Sequence, residues 1–146
     1  MDQQRVQFIK QILSFIIADE PYCYFDEMAL HSFLYKNKAW ALAESPVLVP
    51  INQTRLKTSI YGSIGNILEG PLLYYKKEPT NGNDALVYFK LLKETVSKLT
   101  DKKLHIILDN HAAHRGIKSG TKAYLAENFI VHFTPVGSPQ LNSIGK

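Results

Sequence analysis

A chain of 146 residues that is 45% hydrophobic and 11% aromatic has material for one packed core, which excludes a disordered tail and fits a single domain. Its formal charge of +4 suits contact with a polyanion without requiring one. The lone Cys23 can form no internal disulfide, and the apolar stretch Ile12 to Ala18 is too short to cross a bilayer and has no A-x-A cleavage site behind it, so a soluble protein of the reduced cytoplasm is expected.

From Asp2, a candidate N-cap, the apolar residues Val6, Ile9, Leu13 and Ile16 recur at helical spacing with Phe8, Ile12 and Phe15 alongside, predicting an amphipathic helix that ends near Pro21. Tyr22 to Phe25 is an aromatic, β-favouring run leading into Asp26-Glu27, and Ala29 to Tyr35 reads as a second strand. Cys23 falls inside the first of these and is expected to be inert. Two prolines make Pro46 to Thr54 a long connection. Ser59 to Ile64 and Ile67 to Tyr75 flank Gly65-Asn66 and are expected to pair as antiparallel neighbours.

Behind the turn-rich Thr80 to Asn83, the repeat Ala85, Phe89, Leu92, Val96 and Leu99 is the clearest helix in the chain. Leu104 to Leu108 is almost wholly apolar, as a strand buried on both faces should be, and stops at Asp109. Gly116 to Asn128 reads as a helix and Phe129 to Phe133 as a fifth strand. Thr134 to Pro139 then holds two prolines and a glycine, which forbid regular structure. This order of elements predicts an α/β protein with a mixed sheet of about five strands flanked by helices.

Asp26 and Asp109 stand where two of these strands stop, 83 positions apart. Strand ends are where α/β folds assemble sites, and paired carboxylates suit hard cations such as Mg²⁺ or Mn²⁺. Carboxylates there are frequently turn formers or helix caps, a role that Asp109-Asn110 fits well and that spacing alone favours. Because side chains alternate along a strand, only one of Asp26 and Glu27 can share a face with Asp109.

The run Asp109-Asn110-His111-Ala112-Ala113-His114-Arg115 resembles the second acidic motif of mariner-type and related bacterial insertion-sequence transposases. Tyr24-Phe25-Asp26-Glu27 is similar to that family's first motif, Lys38-Ala39-Trp40 to its basic residue and tryptophan after the second strand, and Pro135 to Asn142 to its proline-rich stretch before a third acid. Four collinear motifs are far more specific than one alone. The resemblance selects Asp26 over Glu27. It implies a ribonuclease-H-like catalytic domain over residues 21–146, behind a linker helix over residues 1–20. It also implies that Asp26 and Asp109 are catalytic and hold two Mg²⁺ or Mn²⁺ ions with a third acid. DNA transposon ends would be the substrate, and water and then a DNA 3′-hydroxyl the nucleophiles.

The chain departs from the family where that third acid belongs. The position is Gly145, with thirty-five residues between it and Asp109, and glycine offers no ligand. The expectation is therefore a fragment truncated at the third acid and lacking the helix that carries it, with cleavage and strand transfer impaired. The alternative is a non-catalytic remnant that binds DNA or interferes with a full-length transposase; in either case a second copy of the chain, as a homodimer, or a full-length transposase is a candidate partner. Only one helix is expected ahead of Tyr22, which leaves phosphate attraction through basic residues such as Lys36, Lys38, Lys76, Lys77 and Arg115, although each lysine taken singly reads better as an ordinary solvated surface charge. His114 and Arg115 are candidates to touch substrate, although His114 fits packing as well. His111 and His114 lack the companions of a zinc site, Trp40 reads as core, and neither Thr134 nor Ser138 has a neighbouring base that would make it a nucleophile.

Overall fold

The computed structural model describes residues 2–31, 57–77, 83–110 and 118–145. In chain order these form helix α1 (Asp2–Ile17), strands β1 (Tyr22–His31), β2 (Lys57–Gly65) and β3 (Leu72–Lys77), helix α2 (Asp84–Ser97), strand β4 (His105–Leu108), helix α3 (Ser119–Asn128), strand β5 (Ile130–Phe133) and two single 3-10 turns, Pro139–Leu141 and Ser143–Gly145. The strands make one mixed sheet in the order β3-β2-β1-β4-β5. β1 runs antiparallel to β2 and parallel to β4, and β4 runs parallel to β5. No described helix is long and apolar enough to cross a membrane.

Two layers of helix cover the sheet, and side-chain alternation decides which residue meets which layer. Cys23 and Phe25 of β1 and Ile106 and Leu108 of β4 point to one face, where they pack with Tyr88, Phe89 and Leu92 of α2 and Leu125 of α3. Tyr22, Tyr24 and Ile107 point to the other, against Phe8, Ile12 and Phe15 of α1. β4, fully buried from Ile106 to Leu108, is the two-faced strand its continuous apolar run predicted. Burial pushes the Cys23 thiol up to about 12, which leaves it a protonated packing group.

Three expectations change. The separate strands Tyr22 to Phe25 and Ala29 to Tyr35 are one strand as far as His31, because Asp26-Glu27 stays in the antiparallel ladder opposite Gly62 and Tyr61; residues 32–35 lie outside the described residues. β3 begins at Leu72 rather than Ile67, since Gly70-Pro71 interrupts the ladder and proline has no N–H to donate. In α1 the sheet takes Phe8, Ile12 and Phe15, while Val6, Ile9, Leu13 and Ile16 stay at least 38% exposed. Both rows have helical spacing, but the row with two aromatic rings removes more apolar area from water.

The turn that follows β2 is held against the start of β1. Asn66 accepts the Tyr22 N–H at 2.9 Å and donates to the Glu20 carbonyl at 3.0 Å. Gly65 cannot carry a side chain, because a Cβ there would lie 2.0 Å from the Tyr22 carbonyl oxygen.

Candidate active site

The parallel ladder between β1 and β4 ends at the pair Phe25 and Leu108. One residue further on, Asp26 and Asp109 follow in the same register, and neighbouring strands are only about 4.8 Å apart. Alternation turns both toward the α1 face, as it does Tyr24 and Ile107 two residues earlier in each strand. Glu27 faces the opposite way, toward Tyr61 and Lys57. Asp26 does not end its strand as the sequence suggested; it stands where β1 loses one neighbour, β4, while keeping the other, β2.

Desolvation raises the Asp26 carboxyl above its ordinary range, and the like charge of Asp109 adds to the rise. A hydrogen bond from the Glu27 N–H to Asp26 Oδ1, at 2.9 Å, opposes it. Thr134, 1% exposed, fixes the second carboxylate: its hydroxyl donates to Asp109 Oδ1 at 3.3 Å and accepts the Asn110 N–H at 3.3 Å. This Thr134 has a positioning part that its sequence context did not announce. The 25-residue gap to Asp109 closes only through β4–β5 pairing, in which the Thr134 N–H donates to the Leu108 carbonyl at 2.9 Å.

The proline-rich stretch folds back over the same end of the sheet. Arg5 of α1 donates from Nε to Ser138 Oγ at 2.8 Å and from Nη2 to the Gly137 carbonyl at 3.1 Å. Gly137 sits at φ +68°, a left-handed turn that favours glycine. Buried Asn142 donates from Nδ2 to the Phe25 carbonyl at 3.1 Å and accepts the Ile144 N–H at 3.3 Å. Ile144 lies over Gly62, the β2 partner of Asp26, where an added Cβ would meet its Cδ1 at 3.5 Å. The turn Ser143–Gly145 therefore rests on β1 and β2 at the level of Asp26. That turn ends at Gly145, which carries no side chain.

Two adjacent carboxylates are the oxygen donors that hard divalent cations prefer, so the donor chemistry fits. The set is incomplete: among the described residues no group of three or more His, Cys, Asp or Glu side chains could hold a metal ion. Of the other predicted contacts, Lys36, Lys38, Trp40, His111, His114 and Arg115 lie outside the described residues. Lys76, weighed for phosphate attraction but read singly as a solvated surface charge, pairs with buried Asp84 at 2.6 Å, while Lys77 is exposed.

Residues 21–146 match the family model of the DDE superfamily endonucleases. No curated protein matches the sequence. Among solved structures, the chain is similar to a Mos1 transposase paired-end complex with left transposon end, at 16% identity over 95% of this chain and 44% of that one, with a TM-score of 0.59. It is similar also to a Mos1 strand transfer complex, at 17% identity, 94% and 43% coverage and a TM-score of 0.58. A Mos1 mariner paired-end complex with Mn gives 16% identity, 95% and 44% coverage and a TM-score of 0.59. The chain thus spans less than half the length of these proteins, and the likeness is one of fold: the ribonuclease-H-like sheet expected from the sequence. With the family model matched over residues 21–146, the chain belongs to the DDE superfamily endonucleases.

Proposed function

We propose that this chain is a transposase catalytic domain in which Asp26 and Asp109 hold Mg²⁺ or Mn²⁺ against a DNA phosphodiester, and that its cleavage and strand transfer are impaired by Gly145. The observation that carries this reading is that Asp26 and Asp109 follow one register step on adjacent strands, while the turn ending at Gly145 rests on β1 and β2 at the level of Asp26. The Mos1 complexes with transposon ends and with Mn support DNA as the substrate class and a divalent ion as the cofactor. When bound, such an ion would activate a water and offset charge on the phosphate. Asp26 and Asp109 supply its oxygen ligands, Thr134 orients Asp109, and Asn142 keeps residues 143–145 against β1. The exposed Lys77 and, beyond the described residues, Lys36, Lys38, His114 and Arg115 would attract phosphate.

The test is nicking of supercoiled plasmid in Mn²⁺ by the chain, by Gly145→Glu, and by Gly145→Glu combined with Asp26→Ala or Asp109→Ala. Little nicking by the chain, a rise of roughly tenfold or more in Gly145→Glu, and its loss in both combinations are expected, since weakening a metal's ligand environment typically costs about 10–100-fold. Efficient nicking by the unaltered chain that survives Asp109→Ala would overturn the proposal. The same Gly145 favours a second reading, a non-catalytic DNA-binding protein that interferes with a full-length transposase. That reading predicts no gain from Gly145→Glu together with retained DNA binding.

A further inference from the structure

A cleft of about 460 Å³ opens between α1 and the chain segment that follows β5, one residue from the carboxylate pair. One wall is a row of three exposed glutamines, Gln4, Gln7 and Gln11, that helical spacing stacks on a single flank of α1. Facing them are Asn110, the residue after Asp109, and the apolar surface of Pro135 and Val136, the latter 71% exposed. Thr134 lines the cleft and donates to Asp109, so the cleft and the candidate active site share a wall. No described residue lining it is ionisable.

Uncharged amides beside apolar surface suit a ligand that is itself uncharged, partly apolar and edged with both donors and acceptors. A phosphate or a metal ion would be poorly served here. A nucleobase has the required chemistry, because glutamine and asparagine amides match the paired donor and acceptor of a base edge, and its faces accept apolar contact. The base must be unpaired to present its edge in a cleft beside the strand. We infer that this cleft binds an unpaired base of the DNA strand whose phosphate lies at Asp26 and Asp109. The row of amides is well placed to hold that strand in register, and the inference rests on the reading of this site as a DNA-cleaving one.

The test compares a labelled single-stranded oligonucleotide with an abasic strand of the same length by fluorescence anisotropy. Both Asp26→Asn and Asp109→Asn are introduced, so that neither metal nor cleavage enters. The intact strand should bind at least about fivefold more tightly than the abasic one. Changing Gln4, Gln7 and Gln11 to alanine should erase that preference while leaving abasic binding unchanged. Alanine is the best helix former, so α1 persists, and circular dichroism confirms it. Equal binding of the two strands, or a preference that survives the alanine changes, would overturn this inference and leave the metal-based reading to its own nicking test. Binding to neither strand would overturn the inference together with the DNA part of that reading.

Discussion

Asp26 weakens the fold that presents it. Burial, with the Asp109 charge beside it, holds its carboxyl above the ordinary 3.8, so the folded state prefers the protonated form. A carboxyl raised in this way contributes stability that is fully present below the unfolded value and is lost as pH rises through the folded one. At neutral pH the carboxylate is therefore a net cost, and Asp26→Asn should raise the melting temperature. The gain should fade as pH falls through the raised folded value and be absent below 3.8, where the carboxyl is protonated in either state. Thermal unfolding of both proteins across pH checks this, and equal melting temperatures at pH 7 would count against it. The two aspartates were legible in the sequence because each sits in a recognisable local motif. The parts of Thr134 and Asn142 were not, since their partners, Asp109 and the Phe25 carbonyl, are reached only after strands distant in sequence have paired.

At the scale of elements, α1 is tied to the sheet through an aromatic and imidazole stack. Phe15 lies 4.4 Å from the His105 ring at an interplanar angle of 18°, and 5.1 Å from His132. The two imidazoles share a hydrogen bond of 2.8 Å between Nδ1 of His105 and Nε2 of His132. One proton serves that bond, and a second would remove its acceptor. Desolvation lowers both histidines below 6.5; Glu20 opposes the shift at His105, and His105 adds to it at His132. Lys102 and Lys103 line the neighbouring surface and do not favour added positive charge. Because the folded state prefers neutral rings, this contribution is complete above 6.5 and is lost as pH falls from that value through the lowered folded ones. Hydrogen exchange at the amides of Phe8 to Ile16, corrected for its intrinsic pH dependence, should accelerate in that window ahead of the β4 amides. His132→Phe should flatten the response. Exchange in α1 that tracks β4 at every pH would refute the link. None of this was readable from the sequence, where His105 and His132 are single residues in separate strands. The elements themselves were readable wherever periodicity had one interpretation, as in α2 and β4. α1 offered two apolar rows and only the sheet could choose between them, and the Asp26-Glu27 pair looked like a strand end because polarity says nothing about whether a neighbouring ladder continues.

For the whole molecule, the candidate site joins parts that are far apart in the chain: β1, the end of β4, and the turn Ser143–Gly145 that Asn142 ties to Phe25. A ligand that bridges these parts binds the folded state alone, and its binding energy becomes folding energy. In the unaltered chain the two carboxylates repel, and among the described residues no group of three acids or histidines could hold a cation. Gly145→Glu would bring a third like charge to the same end of the sheet. In EDTA that variant should melt below the unaltered chain, because nothing offsets the added repulsion. In Mn²⁺ at about ten times its dissociation constant the order should reverse, since tenfold excess of a ligand specific to the folded state adds about 1.4 kcal/mol, a shift on the order of 5 °C for a domain of this size. The inversion is the diagnostic feature, because a variant that merely strained the turn would be destabilised alike in both buffers. A Gly145→Gln control carries the bulk without the charge. It should show neither the loss in EDTA nor the gain in Mn²⁺, and an inversion in that control would remove the carboxylate from the explanation.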